Sequence, residues 1–220
     1  MGLSRREFAA MLVGASGGIT LPLLFRQWQA LLPQEEGRPA SEELALYFRW
    51  QPQSERTWIA QGGGGNSLLY LGTQGALAVD AKGFGLGRSL VREALAHGVP
   101  VTHLVVTHHH DDHSGGSEAF RGAVRLAHEN ARPRILDTAA ANLERGAVAL
   151  SALESRLVES GASADLISEI RAMSAEIHDL VPRDFAPTRT FLDEEEIDLG
   201  NVSALALWVS QGHTDGDVYV

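Results

Sequence analysis

Four of the nine histidines in this 220-residue chain lie in one short segment. Residues 107–116 read Thr-His-His-His-Asp-Asp-His-Ser-Gly-Gly. Side chains two positions apart point the same way in an extended or turning segment, so His108 and His110 can bind one metal ion. Asp112 and His113 follow directly and can offer one oxygen and one nitrogen to a neighbouring ion. Imidazole and carboxylate ligands suit Zn²⁺ and, less selectively, iron, manganese or cobalt.

The composition restricts this chemistry further. The chain has no cysteine, which excludes disulfides, thiol nucleophiles, thiolate zinc sites and iron–sulfur clusters. Its 18 basic residues face 28 acidic ones, for a formal net charge of −10, and this balance disfavours nucleic acid as a partner. With 44% hydrophobic and 21% charged residues, the chain is predicted to be an acidic globular protein rather than a disordered one.

The predicted strand before the histidine cluster and the two glycines after it are typical of a folded metal site. Residues 101–107 form a β-branched apolar segment, predicted to be a strand, that runs directly into the histidines. Polar residues at the end of a strand are a usual place for a site in α/β proteins. Gly115 and Gly116 allow a helix to begin close behind. This context favours a specific metal site over a histidine-rich surface segment that binds metal adventitiously.

Further strands and helices are predicted on either side. Residues 75–80 have strand character and end at Asp80, and residues 88–97 have helical spacing. From about 136 to 181, two apolar stripes separated by residues 161–163 predict a helical hairpin. We interpret the hairpin as packed on the body of the domain, with a lid or partner-binding element as the alternative. Strands are predicted again at residues 188–192 and 202–209.

The histidine segment resembles the leading motif of the metallo-β-lactamase superfamily, which has the form His-x-His-x-Asp-His. The later Gly212-His213-Thr214 segment resembles the motif whose histidine completes the first metal site, and the likeness covers about residues 57–220. It implies an α/β (α+β) fold, the αββα sandwich of this family, with the helical hairpin as an insertion. The family's remaining ligands come after the Gly-His-Thr segment, so we expect a sandwich that is incomplete at its C-terminus.

The resemblance also implies roles for individual residues. His108, His110 and His213 would hold one zinc ion, with two zinc ions in a complete site and iron or manganese as other possibilities. Asp112 and His113 would hold the second ion, and Asp112 would also orient the attacking hydroxide and carry a proton. The early aspartate of the family, which supports the ligand loop, corresponds to Asp80.

Other polar residues near these motifs are assigned plainer roles. Asp217 could substitute as a ligand but is expected to belong to the turn of its own motif, and Asp215 is a weaker candidate. The glycine-rich residues 62–66 are predicted either to form a tight turn or to border the pocket. The remaining histidines are expected to be structural or solvated; they are His97, His103, His109, His128 and His178.

The function implied by the resemblance is zinc-dependent hydrolysis of a small-molecule amide, lactone, ester or thioester. One alternative is a non-hydrolytic, metal-binding or redox member of the same fold. Another is an interaction module with an unfinished second metal site. The expected partner is a small-molecule substrate, whereas the sequence indicates no oligomeric state.

The N-terminal part of the chain is predicted to be an export signal. Arg5 and Arg6 precede Phe8 and an apolar run, which resembles the twin-arginine signal of bacteria. The run is short and interrupted for a stable membrane span. Residues 1–30 are therefore predicted to direct the protein to a periplasmic or extracytoplasmic location, and residues 31–56 to form a linker.

Overall fold

The computed structural model describes residues 49–62, 65–161 and 163–220. The predicted export signal and most of the predicted linker lie outside the described residues. Among the described helices, none is both long enough and apolar enough to cross a membrane.

The larger of two β-sheets has seven strands, and their order in the sheet follows their order along the chain. The first four pair antiparallel, and β4 to β7 pair parallel. The strands are β1 (Arg49–Pro52), β2 (Thr57–Gln61), β3 (Ser67–Leu71), β4 (Ala76–Val79), β5 (Val101–Val105), β6 (Val124–His128) and β7 (Arg189–Phe191). Such a sheet needs apolar cover on both faces where its strands run parallel.

The second sheet covers one of these faces. It has three antiparallel strands in the order β10-β9-β8, namely β8 (Glu194–Asp198), β9 (Ser203–Val209) and β10 (Asp217–Tyr219). Alternation along β9 buries Ala206 and leaves Leu205 and Leu207 exposed, as the period of two in a strand requires. The layer between the sheets is an apolar cluster of Leu77, Val105, Leu126, Phe191, Ile197, Leu199, Ala206 and Val218.

The other face of the large sheet is covered by helix α1 (Gly87–Ala96). Leu90 and Ala94 are fully buried in the cluster that also contains Leu69 and Leu104. Alternate residues along the same strands face opposite sides of the sheet and therefore form two separate apolar layers. The described chain has the order helix, sheet, sheet, which confirms the mixed α/β class.

The predicted helical hairpin consists of two helices that pack against each other. Helix α2 (Asp111–Ser114) is a single turn at the histidine segment, whereas α3 (Ala131–Ser160) and α4 (Ala164–Ile177) form the hairpin. The stripes meet in a cluster of their own, which packs against the main core through Phe84 and Leu143. Helix α3 begins five residues before the predicted start of the hairpin at about residue 136.

Three details differ from the sequence prediction. Residues 49–52, assigned to the linker, form β1 and pair with β2. Strand β7, expected to begin the second half of the sandwich, pairs parallel with β6 in the first sheet. Strand β8 was not predicted, because its sequence Glu-Glu-Glu-Ile-Asp buries only Ile197 and shows no apolar alternation.

Candidate metal centre

Three histidines come together at one end of the sandwich. One ring nitrogen from each of His108, His110 and His213 lies within 4.8 Å of the other two. The His110 Nδ1 and His213 Nε2 atoms are 3.1 Å apart. The ring centroids of His108 and His213 are separated by 5.3 Å. Imidazoles at these separations can converge on one metal ion with only small rotations of their side chains.

The two sheets deliver these histidines from different parts of the chain. His108 and His110 follow β5, and His213 lies in the turn between β9 and β10. The Val218 amide donates a hydrogen bond of 2.9 Å to the Thr107 carbonyl, which fixes β10 beside the end of β5. A separation of a hundred residues in the sequence is therefore bridged by one backbone contact next to the ligands.

Asp217 holds the turn that carries His213. Its carboxylate accepts hydrogen bonds from the His213 amide, from the Thr214 amide at 2.9 Å and from the Thr214 hydroxyl at 2.5 Å. Burial raises the pKa of Asp217, but these hydrogen bonds outweigh burial, so the pKa lies below its ordinary value. The carboxylate is occupied within its own turn, as the sequence had led us to expect.

Asp80 supports the cluster from below without belonging to the three-histidine group. It accepts hydrogen bonds from the Thr107 amide at 2.7 Å and the Thr107 hydroxyl at 2.8 Å. Its Oδ2 atom also lies 2.6 Å from His113 Nδ1. A carboxylate paired with Nδ1 fixes the ring orientation and leaves Nε2 as the free ligand atom. The structure therefore shows how the strand end, the loop and His113 are tied together.

Asp112 and His113 lie beside the three histidines on helix α2. The Asp112 Oδ2 atom is 3.5 Å from His113 Nε2, and the Asp112 side chain is 42% exposed. The ring centroids of His108 and His113 are 4.1 Å apart. These two side chains can thus share a position next to the three-histidine group, and Asp112 is open to water.

The electrostatics of the cluster favour neutral histidines at its centre. Burial, followed by the neighbouring His113 and His110, lowers the pKa of His108 to about 3. Burial and then His213 lower the pKa of His110. Burial also opposes the charge on His113, but its hydrogen bond with Asp80 raises the pKa overall. Neutral imidazoles are the form that binds a cation.

Sequence reasoning missed Lys82, which is the single lysine of the chain and is fully buried. Its ammonium donates hydrogen bonds of 2.6 Å to the carbonyl oxygens of Ala60, Gly62 and Gly65. Burial lowers the pKa of Lys82 to about 7, against the opposing charges of Asp80 and Asp112. A lone lysine directly after the Asp80 motif was the available signal.

The residues given plainer roles lie outside the three-histidine group. Asp215 forms an ion pair with Arg134, with one N···O distance of 2.6 Å. His128 is buried and stacks on Trp208 with ring centroids 4.8 Å apart. His109 contacts the ring of His110 but is not among the three converging residues. The others are also elsewhere: half-buried His103 on β5, His97 after α1 and exposed His178 after α4.

The sequence matches the family model of the metallo-beta-lactamase superfamily over residues 60–220. This range covers most of the chain and both histidine motifs. The chain therefore belongs to the metallo-beta-lactamase superfamily. No curated protein matches the chain.

Two solved structures are similar to this chain. A metallo-beta-lactamase with a HARLDQ motif from Cronobacter sakazakii is 18% identical with a TM-score of 0.50, covering 81% of this chain and 59% of its own. A metallo-beta-lactamase from Pontibacter korlensis is also 18% identical, with a TM-score of 0.48, covering 78% of this chain and 65% of its own. The chain thus spans about three fifths of the length of these two structures.

Proposed function

We propose that this chain forms the metal centre of a zinc-dependent hydrolase that cleaves a small-molecule amide, lactone, ester or thioester. The observation that carries the proposal is the convergence of His108, His110 and His213 from two different sheets. Family membership over residues 60–220 supports a hydrolase. The three-histidine group would hold the first ion, and Asp112 with His113 would contribute to a second.

The residues fit a zinc ion by their chemistry. Zinc favours tetrahedral sites of imidazole nitrogens, often three histidines with a fourth position left open. The low pKa of His108 keeps its ring neutral and able to donate a lone pair. His213 is exposed, so a metal ion and a substrate could reach the three-histidine group from solvent. Iron and manganese accept the same donors, and measurement must distinguish the three.

When bound, zinc supplies a Lewis acid that polarises the substrate oxygen and lowers the pKa of a bound water to about 7. The remaining work falls to side chains of this chain. Asp112 is half-exposed and beside the histidines, where its carboxylate can orient water and accept a proton. Asp80 keeps His113 in one orientation through the Nδ1 contact. A site of this kind needs no serine or cysteine nucleophile.

The charge of the chain supports a small molecule as the substrate. A formal net charge of −10 opposes the approach of RNA or another polyanion. The predicted twin-arginine signal would place the enzyme outside the cytoplasm, where small amides, lactones and esters are available. That location remains a prediction from residues 1–30.

Metal content tests the proposal most directly. The full chain is purified without added metal, and bound zinc, iron and manganese are measured by elemental analysis. We expect zinc in the wild type and its loss in the His108→Ala/His110→Ala double variant, because two of three ligands are removed. His178→Ala serves as the matched control, since His178 is exposed and distant in sequence from both motifs.

The same preparations are then screened for hydrolysis of β-lactam, lactone, thioester and phosphodiester substrates. Zinc-dependent turnover that the double variant loses would support the proposal. Unchanged metal content in the double variant would contradict it. Iron in place of zinc, together with redox activity and no hydrolysis, would favour the non-hydrolytic alternative.

A further inference from the structure

We infer that Lys82 is a positioning residue: its ammonium holds the backbone of Gly65 against His113 and so fixes the imidazole at the second metal position. The inference deepens the proposed function and rests on it for the identity of that position. It assigns a role to Lys82 through the hydrogen bonds that its ammonium donates to Ala60, Gly62 and Gly65.

The first observation is the conformation of Lys82. Its φ angle is +65°, in the left-handed region that costs a residue with a Cβ atom about 1 kcal/mol. Glycine would adopt this conformation without that cost. Burying an ammonium adds a further cost unless all of its protons have acceptors. A lysine at this position therefore indicates that the side chain has a structural task.

The hydrogen bonds of the ammonium define that task. Ala60 and Gly62 lie at the end of β2, and Gly65 lies just before β3. Each carbonyl oxygen is 2.6 Å from Lys82 Nζ, within hydrogen-bond distance of an ammonium group that carries three N–H donors. Only the protonated amine has three N–H groups to give. The ammonium thus binds both the end of β2 and Gly65, the described residue before β3.

The Gly65 backbone, held in this way, contacts the imidazole ring of His113. A Cβ atom added to Gly65 would lie 2.3 Å from His113 Cε1 and 2.4 Å from Nε2. The Gly65 backbone is therefore in contact with the ring, and a side chain at this position would displace the imidazole. The Nδ1 atom, 2.8 Å from the same Cβ position, pairs with Asp80. The imidazole thus contacts both the Asp80 carboxylate and the Gly65 backbone, and Lys82 holds Gly65 by its carbonyl oxygen.

The backbone next to Lys82 strengthens this connection. The Ala81 amide donates a hydrogen bond of 2.7 Å to the His113 carbonyl, and the Gly116 amide donates one of 2.9 Å to the Lys82 carbonyl. Residues 81 and 82 are consequently joined to the C-terminal end of helix α2 and to the residues that follow it. Moving the Lys82 side chain would affect the ring of His113 from the turn, while these backbone bonds keep the helix itself in place.

Two variants test the inference in the full chain. Lys82→Met keeps the length of the stem and removes the ammonium, whereas Gly65→Ala keeps the ammonium and displaces the ring of His113. Gly83→Ala is the control, because a Cβ atom at Gly83 meets nothing within 4 Å. Circular dichroism establishes that each variant is folded.

The first measurement is made without metal. A ¹H–¹⁵N spectrum of the histidine rings should show a slowly exchanging Nδ1 proton of His113, assigned with the His113→Gln variant. We expect this signal to shift or broaden in both test variants and to be unchanged in Gly83→Ala. A general loss of structure would change the ring signals of all the histidines, whereas the inferred role changes that of His113 alone.

The second measurement is the binding of Zn²⁺ alone, followed by competition with a chelator. We expect the weaker of two zinc ions to lose roughly 10- to 100-fold in affinity, as for other residues that position a ligand, while the tighter ion changes by less than about threefold. The inference would be overturned if both variants fold and show the wild-type ring signal of His113 and the wild-type affinity for the weaker zinc ion. Failure of both variants to fold beside a folded control would also overturn it, because Lys82 would then be structural alone.

The outcomes separate the inference from the proposed function. If the wild type binds no zinc, the proposed function fails, but the metal-free ring signal still decides the role of Lys82. If Lys82→Met fails to fold beside a folded Gly83→Ala control, Lys82 is structural alone and the inference fails. If the wild type binds two zinc ions and the variants retain both with wild-type affinity, only the inference fails.

Discussion

Asp80 shows how a residue outside the ligand group can control it. Its carboxylate accepts hydrogen bonds from the Thr107 amide and the Thr107 hydroxyl, and its Oδ2 atom pairs with His113 Nδ1. The residue is buried and has a φ angle of +62°, a conformation that aspartate and asparagine tolerate better than most residues. Charge, acceptor capacity and backbone geometry are thus all used at one position.

Asp80→Asn separates these contributions, because asparagine keeps the shape and the backbone preference. It removes the charge and one acceptor oxygen, so a buried donor on Thr107 or His113 loses its partner. We expect the free energy of unfolding to fall by about 1–3 kcal/mol and zinc affinity to fall about 10- to 100-fold. Urea denaturation and chelator competition measure the two effects.

The exposed Asp179 provides the control for this substitution. Asp179→Asn should change the free energy of unfolding by less than about 0.5 kcal/mol and leave zinc binding unaltered. An Asp80→Asn protein with the stability and the zinc affinity of the wild type would contradict the supporting role of Asp80.

At the residue level, the sequence predicted the groups that belong to recognisable motifs, including the distant Asp80 and His213, and missed the role of Lys82. His108, His110 and Asp112 are adjacent in a pattern that a short motif can reveal. The value of Lys82 and Gly65 lies in contacts with residues 17 to 48 positions away, since Lys82 reaches the turn at Gly65 and Gly65 reaches His113. No local pattern reports such contacts, although a single lysine with a left-handed backbone is a signal once the structure is known.

At the level of elements, the same contrast separates the hairpin from the strands. Helices α3 and α4 were predictable because each apolar stripe repeats with the period of its own helix. Strand β8 was not, because its pairing with β9 rather than its sequence makes it a strand. Strand β7 was recognised but assigned to the wrong sheet, since partner choice depends on β6. Sheet membership is a tertiary property.

The hairpin is stabilised mainly by its own apolar cluster. Leu150, Leu157, Ile170, Met173 and Ile177 pack together, and Ile170 is fully buried. Ion pairs link the hairpin to the body as well, including Arg88 with Glu176, but partly exposed pairs contribute little to stability. Packing rather than charge therefore holds the two helices together.

Ile170→Ala tests that conclusion. Removing a buried isoleucine side chain leaves a cavity in the hairpin, and we expect the free energy of unfolding to fall by about 2–5 kcal/mol. Val148→Ala on α3 is the control, because Val148 is 73% exposed and should cost less than about 0.5 kcal/mol. Urea denaturation followed by circular dichroism measures both. Equal effects of the two substitutions would refute a packed hairpin.

At the scale of the whole molecule, two buried ionisable residues, Glu118 and Arg125, lie near charged groups of α1 and the hairpin. Glu118 is 1% exposed and Arg125 is 8% exposed, and both lie in the region between the histidine segment and the hairpin. Burial raises the pKa of Glu118 to about 7, although Arg88 favours its ionised form. Glu176 on α4 disfavours ionisation. The junction is thus most stable when the Glu118 carboxyl is protonated.

Glu118→Gln converts this electrostatic argument into a pH dependence. Because the folded-state pKa is raised, the neutral carboxyl contributes stability that is fully present below the unfolded pKa of about 4.3 and is lost as the pH rises through about 7. Glutamine keeps the shape and cannot ionise. The stability of the variant relative to the wild type should therefore increase between pH 5 and pH 8, by at most about 3 kcal/mol at 1.4 kcal/mol per pKa unit.

Urea denaturation of the variant and the wild type at intervals between pH 5 and pH 8 measures this difference directly. Taking the difference at each pH removes the contributions of groups that both proteins share, including the histidines. Glu196→Gln on the exposed side of β8 is the control, and the change with pH should be larger for Glu118→Gln than for this control. A constant difference for Glu118→Gln would mean that Glu118 is ionised in the folded protein throughout this range, with Arg88 and Arg125 outweighing the cost of burial.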